Sequence, residues 1–176
     1  MKVGKRWSVL LAGALIALSL GGLCPSTEAA EHQRTLQEAT TMPDNIELFP
    51  RGGANTAYAR YFVGNSYLNM LSTEGVIIGN VTFEPACRNN WHIHHATKGG
   101  GQILLCTAGR GWYQQWGQAA RELHAGDVVH IPAGVKHWHG AAKDSWFVHL
   151  AVEVPGEEIR SEWLEPVSDD DYAKLP

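Results

Sequence analysis

The sequence predicts an all-β fold, a sandwich or barrel of short strands. Apolar or alternating runs recur at short intervals, Gly- and Pro-bearing turn signals separate them, and helical periodicity is missing in between. In chain order, a run over 58–63 stops at Gly64-Asn65, and one over 75–83 stops at Glu84-Pro85. The run 90–94 leads into Lys98-Gly99-Gly100-Gly101, and 102–107 follows, closed by Ala108-Gly109. Next come 111–115 before Trp116-Gly117, 119–123 before Ala125-Gly126, 127–131 before Pro132-Ala133-Gly134, and 147–154. Each separator has a local reason in the backbone freedom of Gly or the fixed φ of Pro. No internal repeat is visible.

Residues 1–29 read as a secretory signal peptide: Lys2, Lys5 and Arg6 precede an apolar run from Trp7 to Leu23, and Thr27-Glu28-Ala29 offers small residues for cleavage after Ala29. The run is short for a membrane span, and Leu23 is bulky where lipid attachment at Cys24 would want a small residue. The expected location is therefore secreted or periplasmic, with no membrane association after cleavage. Residues 30–45 form a polar, flexible lead-in, 46–165 a single β domain, and 166–176 an acidic tail in which Ser168 caps a short helix. The formal charge of −4 becomes −6 once Lys2, Lys5, Arg6 and Glu28 leave, which gives no electrostatic footprint for nucleic acid. Cys87 and Cys106 lack C-x-x-C spacing and are expected to be buried free thiols.

Eight of the nine histidines fall between His92 and His149. Alternation sends His92 and His94 to one strand face and Trp91, Ile93 and His95 to the other. The strand opened by Gln102 returns towards His94 across a Gly-rich turn, and Pro132-x-Gly134 delivers His137 and then His139 on the same face. Three imidazoles and one carboxamide thus gather around a point, a pattern suited to a divalent metal. His32, His124 and His130 read as solvated side chains, while His139 and His149 are either hydrogen-bonded core histidines or groups facing the metal. Trp91 and Trp138 point away from the ligands into packing between sheets or against a partner subunit. Trp112 and Trp116 are expected at the surface or an interface, and Arg51, Arg60 and Tyr61 over the pocket mouth.

These residues resemble the cupins, whose second motif, G-x5-P-x-G-x2-H-x3-N, is matched by Gly126, Pro132, Gly134 and His137. In the first motif, G-x5-H-x-H-x3or4-E-x6-G, Ala86 replaces the opening Gly and no acidic residue follows His94; Ala141 replaces the closing Asn of the second. A narrower resemblance, carried by Trp91-His92-x-His94, Gly101-Gln102-x-Leu104, Lys136-His137-Trp138-His139-Gly140 and His149-Leu150-Ala151, is to small manganese cupins that include bacterial (R)-selective hydroxynitrile lyases. It implies a single-domain jelly-roll barrel, metal ligation by His92, His94, Gln102 and His137, and catalytic roles for His139 and His149. It also implies manganese as the metal, with iron, zinc, nickel or cobalt as alternatives, a small-molecule substrate, and a homodimer.

Three neutral imidazoles and a neutral amide leave the full +2 charge on an ion, which makes a strong Lewis acid and disfavours oxidation of the metal. The chemistry expected is therefore a lyase acting on small carbonyl adducts, such as a cyanohydrin giving aldehyde and HCN. A metal-dependent oxidase or dioxygenase and a non-enzymatic small-molecule-binding cupin are the rivals.

Overall fold

The computed structural model describes Glu31 and residues 47–176; the leader at 1–29 and, Glu31 apart, the lead-in at 30–45 lie outside the described residues. One sheet runs in the order β1 (Gly53–Ala54), β3 (Ser66–Ser72), β4 (Ile77–Phe83), β12 (Phe147–Glu153) and β8 (Gln102–Gln115), with β10 (Val128–Ile131) also on β8. A second sheet joins the far half of β8 to β9 (Arg121–His124) and β11 (His137–Ala141). There β11 pairs with β5 (Arg88–Asn89) and β6 (His92–His95), flanked by β2 (Phe62–Val63) and β14 (Arg160–Trp163). A two-stranded ribbon of β7 (Lys98–Gly99) and β13 (Gly156–Glu157) lies apart. The inward faces enclose a core that includes Phe83, Leu104, Leu123, Ile131 and Phe147, all fully buried.

The link between the sheets is β8 itself. The sequence predicts two runs split by a turn at Ala108-Gly109, but the chain passes through as one 14-residue strand. Its first half pairs with β12 and β10, and its second half with β9 and β11. Gly109, at φ 70°, carries the strand from one sheet to the other; a Cβ there would lie 1.8 Å from the Trp146 carbonyl oxygen. Glycine therefore serves a bend rather than a reversal, and pairing on both sides holds the strand continuous.

Other elements also depart from expectation. Of 58–63 only Phe62–Val63 is a strand; Ala59–Tyr61 is a 3-10 turn, which lets Tyr58, Tyr61 and Phe62 all meet Trp163, something strict alternation cannot do. The strands β3 and β14 fall where no run is expected: β3 has Leu68 packed on the core but Met70 and Leu71 half-exposed, and β14 alternates with polar residues on both faces. Ala86, where the motif expects Gly, adopts φ 66°, a left-handed conformation that costs a non-glycine residue ~1–2 kcal/mol.

The C-terminal segment covers the outer face of the second sheet. Helix α1 (Asp169–Ala173) starts as expected, with the Asp171 backbone N–H donating to Ser168 Oγ. Val167 and Tyr172 then pack with Trp91, Trp112, Trp138 and Ala142 in a second apolar cluster. Trp112, expected near the surface, is thus buried, because β8 continues through it and turns its ring outward beneath this segment. Tyr172 Oη donates to the Ala141 carbonyl at 2.7 Å, and the buried Arg88 guanidinium lies 4.4 Å from the Tyr172 ring and pairs with Asp169. Cys87 and Cys106 are buried and free; burial pushes each thiol up to about 12, so both stay protonated.

Truncating Trp138 to Ala is expected to remove ~3–5 kcal/mol of unfolding free energy. Tyr172→Phe, which deletes one buried hydrogen bond, should remove ~1 kcal/mol. Urea titrations of both variants check the ranking.

Candidate metal centre

Strand register gathers the site. His137 on β11 lies opposite His92 on β6, β14 sets Ser161 opposite His94 and Trp163 opposite His92, and β12 sets Glu153 opposite Gln102. Alternation turns His92 and His94 inward together. His95 faces away and meets Glu162 Oε2 at 2.6 Å. One ligand nitrogen from each of His92, His94 and His137 lies within 4.8 Å of the others, and all three side chains are buried.

Each of these rings is fixed from behind. His92 Nδ1 meets the Asn90 carbonyl at 3.0 Å and His137 Nδ1 the Val135 carbonyl at 2.9 Å. His94 Nδ1 lies 3.1 Å from Glu153 Oε2 and 3.3 Å from Ser161 Oγ. Carbonyl and carboxylate oxygens only accept, so the proton belongs on Nδ1 and the lone pair on Nε2. Burial, reinforced by the neighbouring imidazoles, holds His92 well below 6.5; burial pulls His137 down to about 4. Neutral imidazole is the form that binds metal.

Gln102 lines the same cavity as His92 and His94. The lengthened loop before it is clamped by the β7–β13 ribbon, and Gly101, at φ 94°, packs where a Cβ would lie 2.3 Å from the Ile131 carbonyl oxygen. The Gln102 side chain is buried, and its Nε2 donates to Glu153 Oε1 at 3.4 Å. Gln102 Oε1 and the Nε2 atoms of His94 and His137 are buried acceptors with no hydrogen-bond partner. Lone pairs buried without a donor are costly, and a cation relieves them together. The three clustered nitrogens suit a divalent first-row ion, and the unpartnered Gln102 oxygen is of a type that such an ion accepts.

Beyond this set stand His139 and His149. Asn89 grips His139 twice: its Oδ1 accepts from the His139 backbone N–H at 3.0 Å, and its Nδ2 donates to His139 Nε2 at 2.9 Å. The first contact fixes which end of the amide faces the ring, so neutral His139 carries its proton on Nδ1, an atom without a partner. His149 is fully buried between Phe83 and Phe147, 4.8 Å from His139 between ring centres, with neither nitrogen hydrogen-bonded. Burial lowers both, His149 to about 3.

A cavity of about 260 Å³ opens on His92, His94, Gln102 and His139. Its walls are chiefly apolar, including Leu68, Ile77, Val81, Phe83 and Trp163. Trp163 stacks on His92 at 4.8 Å, and Tyr61 stacks on Trp163 at 4.7 Å. Tyr61 thus backs a wall of the cavity instead of covering its mouth. Arg51 lies over Tyr67 and Trp146, Arg60 lies over the Tyr61 ring, and neither lines the cavity, because aromatic faces elsewhere hold both guanidinium groups. His124 and His130 are exposed. Asn89 and Glu153 belong to the site without having been expected there. Alternation from His149 would have put Glu153 on the inner face, whereas no local pattern marks Asn89.

His149 imposes a pH dependence. Its pKa falls from 6.5 to about 3, so the stability it contributes as a neutral ring is fully present above about 6.5 and is lost as pH drops towards 3. His149→Phe is expected to flatten the decline in unfolding free energy of metal-free protein between pH 7 and pH 4.

Residues 79–153 match the family model described as a cupin domain. Over 95 residues, covering 54% of this chain and 70% of the relative, the sequence is 44% identical to the (R)-mandelonitrile lyase of Granulicella tundricola. The crystal structure of a cupin-like protein from Thermotoga maritima superposes with a TM-score of 0.63 at 38% identity, covering 73% of this chain and 96% of that one. With two facing β-sheets, an inward histidine cluster and these relatives, the chain belongs to the cupin superfamily.

Proposed function

We propose that this protein is an exported metal-dependent lyase acting on small carbonyl adducts, with cleavage of a cyanohydrin to an aldehyde and hydrogen cyanide as its most concrete form. The observation that carries the reading is the cluster of His92, His94 and His137, with unpartnered buried acceptors on His94 and His137, beside an apolar cavity lined by His92, His94 and Gln102. His92, His94, His137 and Gln102 would hold the ion, and the resemblance of this ligand set to the manganese cupins makes manganese the first choice. Bound there, a divalent ion supplies Lewis acidity for a carbonyl oxygen or a departing cyanide.

The remaining chemistry falls to the chain's own groups. His139 lines the cavity, and its Nδ1–H, the nitrogen Asn89 leaves unengaged, would serve as a hydrogen-bond donor to leaving cyanide. Neither nitrogen of His149 is engaged, so its free lone pair can take the hydroxyl proton. The charged His149 ring then gives up that proton to cyanide, with the His139 N–H as a hydrogen-bond donor only, so that the substrate has lost one proton, cyanide has gained one and both rings end neutral. The apolar walls suit a substrate with a hydrophobic body, and the similarity to a mandelonitrile lyase agrees with that. The reading includes release from the leader after Ala29, a secreted or periplasmic location, and pairing as a homodimer.

A metal-dependent oxidase or dioxygenase is the second reading, favoured by the Glu153 carboxylate beside two of the candidate ligands, whose charge would ease metal oxidation. Oxygen uptake by iron- or manganese-loaded protein separates the two.

Metal analysis of natively isolated protein should find one divalent ion per chain. His137→Ala is expected to lose the ion and the cleavage of mandelonitrile together. His139→Ala should keep the ion while turnover falls ~10²–10⁴-fold. Equal turnover in all three proteins ends the lyase reading, and bound metal with no turnover of any adduct leaves a binding protein.

A further inference from the structure

We infer that Glu153 is the anionic brace of the metal centre: it orients Gln102 and His94 and returns to the site the negative charge that a Gln in place of a Glu ligand removes. The inference rests on reading His92, His94, Gln102 and His137 as ligands. Its own evidence is separate from theirs. Glu153 is the cross-strand partner of Gln102, and one carboxylate reaches two different candidate ligands, Gln102 Nε2 from Oε1 at 3.4 Å and His94 Nδ1 from Oε2 at 3.1 Å.

Both contacts act in the same direction. A carboxamide has a donor end and an acceptor end of nearly equal shape, so nothing in its bulk decides which faces inward. A carboxylate can only accept; it draws the NH2 end of Gln102 outward and leaves Oε1 facing the cluster. At His94 the same group favours the proton on Nδ1 and leaves Nε2 with its lone pair. These two atoms, Gln102 Oε1 and His94 Nε2, are among the buried acceptors without a partner. Removing the carboxylate would free the amide to turn and the ring to change tautomer.

The charge matters as much as the orientation. The cupin motif places Glu among the ligands, where its charge would cancel half of the dication's. Here the ligand is neutral and the charge sits one hydrogen bond further out, polarising the Gln102 oxygen and raising the donor strength of His94. Glu153 is therefore a positioning residue and an outer counter-ion, and contact with substrate is no part of the role.

The test titrates Mn(II) into the full chain, wild type and variants, reading free ion by electron paramagnetic resonance and the stability of the metal-free forms by thermal unfolding. Glu153→Gln is expected to weaken Mn(II) binding about 10- to 100-fold with the metal-free Tm unchanged. The charge-relocated double variant Gln102→Glu/Glu153→Gln should recover most of that loss, which a merely structural role for Glu153 would not allow. Unchanged affinity in Glu153→Gln, or no recovery in the double variant, overturns the brace while the metal reading stands. Wild type that takes up no Mn(II), or His137→Ala that binds as wild type does, overturns the metal reading and the brace with it.

Discussion

The constraint on which this structure depends is electrostatic: ligand nitrogens of His92, His94 and His137 crowd within 4.8 Å of one another, and His94 Nε2, His137 Nε2 and Gln102 Oε1 are all buried without a protein donor. Each histidine of the cluster has its Nδ1 next to an oxygen, which fixes the ring and leaves the opposite nitrogen inward. Such an arrangement is unfavourable in an apolar interior and favourable around a cation. The aromatic stack of Tyr61, Trp163 and His92 and the fork of Asn89 on His139 extend the same rigidity outward.

Much of this could be read from the chain. The β class, seven of the fourteen strands among the described residues, the inward face of His92 and His94 and the arrival of His137 after Pro132-x-Gly134 all follow from period-two alternation and turn chemistry. What escaped were features in which one residue serves two neighbours. Gly109 looks like a turn because a glycine at positive φ is compatible with either a reversal or a bend, and only pairing on both sides of β8 decides between them. The strands β3 and β14 were hidden because their side chains are not sorted cleanly into apolar and polar faces. Asn89 and Glu153 were invisible for a third reason: each acts on a residue distant in sequence, through a register that exists only after the sheets form.

Charge balance is where the structure changes the picture most. Four neutral ligands suggest an ion carrying its whole +2, yet Glu153 contacts two of them. Its charge would soften an ion from outside the candidate ligand set, leaving positions open to substrate while moderating the ion's pull on electrons. That combination suits an acid catalyst that must release its product.

The long strand β8 has a last implication. Gln102 stands at its start, in the first sheet, whereas His92, His94 and His137 stand on strands of the second. The paired strands β6 and β11 bring the three histidines together within one sheet, whereas Gln102 would join them only once the two layers close, so full ligation of an ion would wait for that step. Because late first-row ions outcompete manganese at equilibrium, the identity of the captured metal would then be decided by what the surroundings supply during maturation. A protein of this design records the chemistry of the compartment in which its folding finishes.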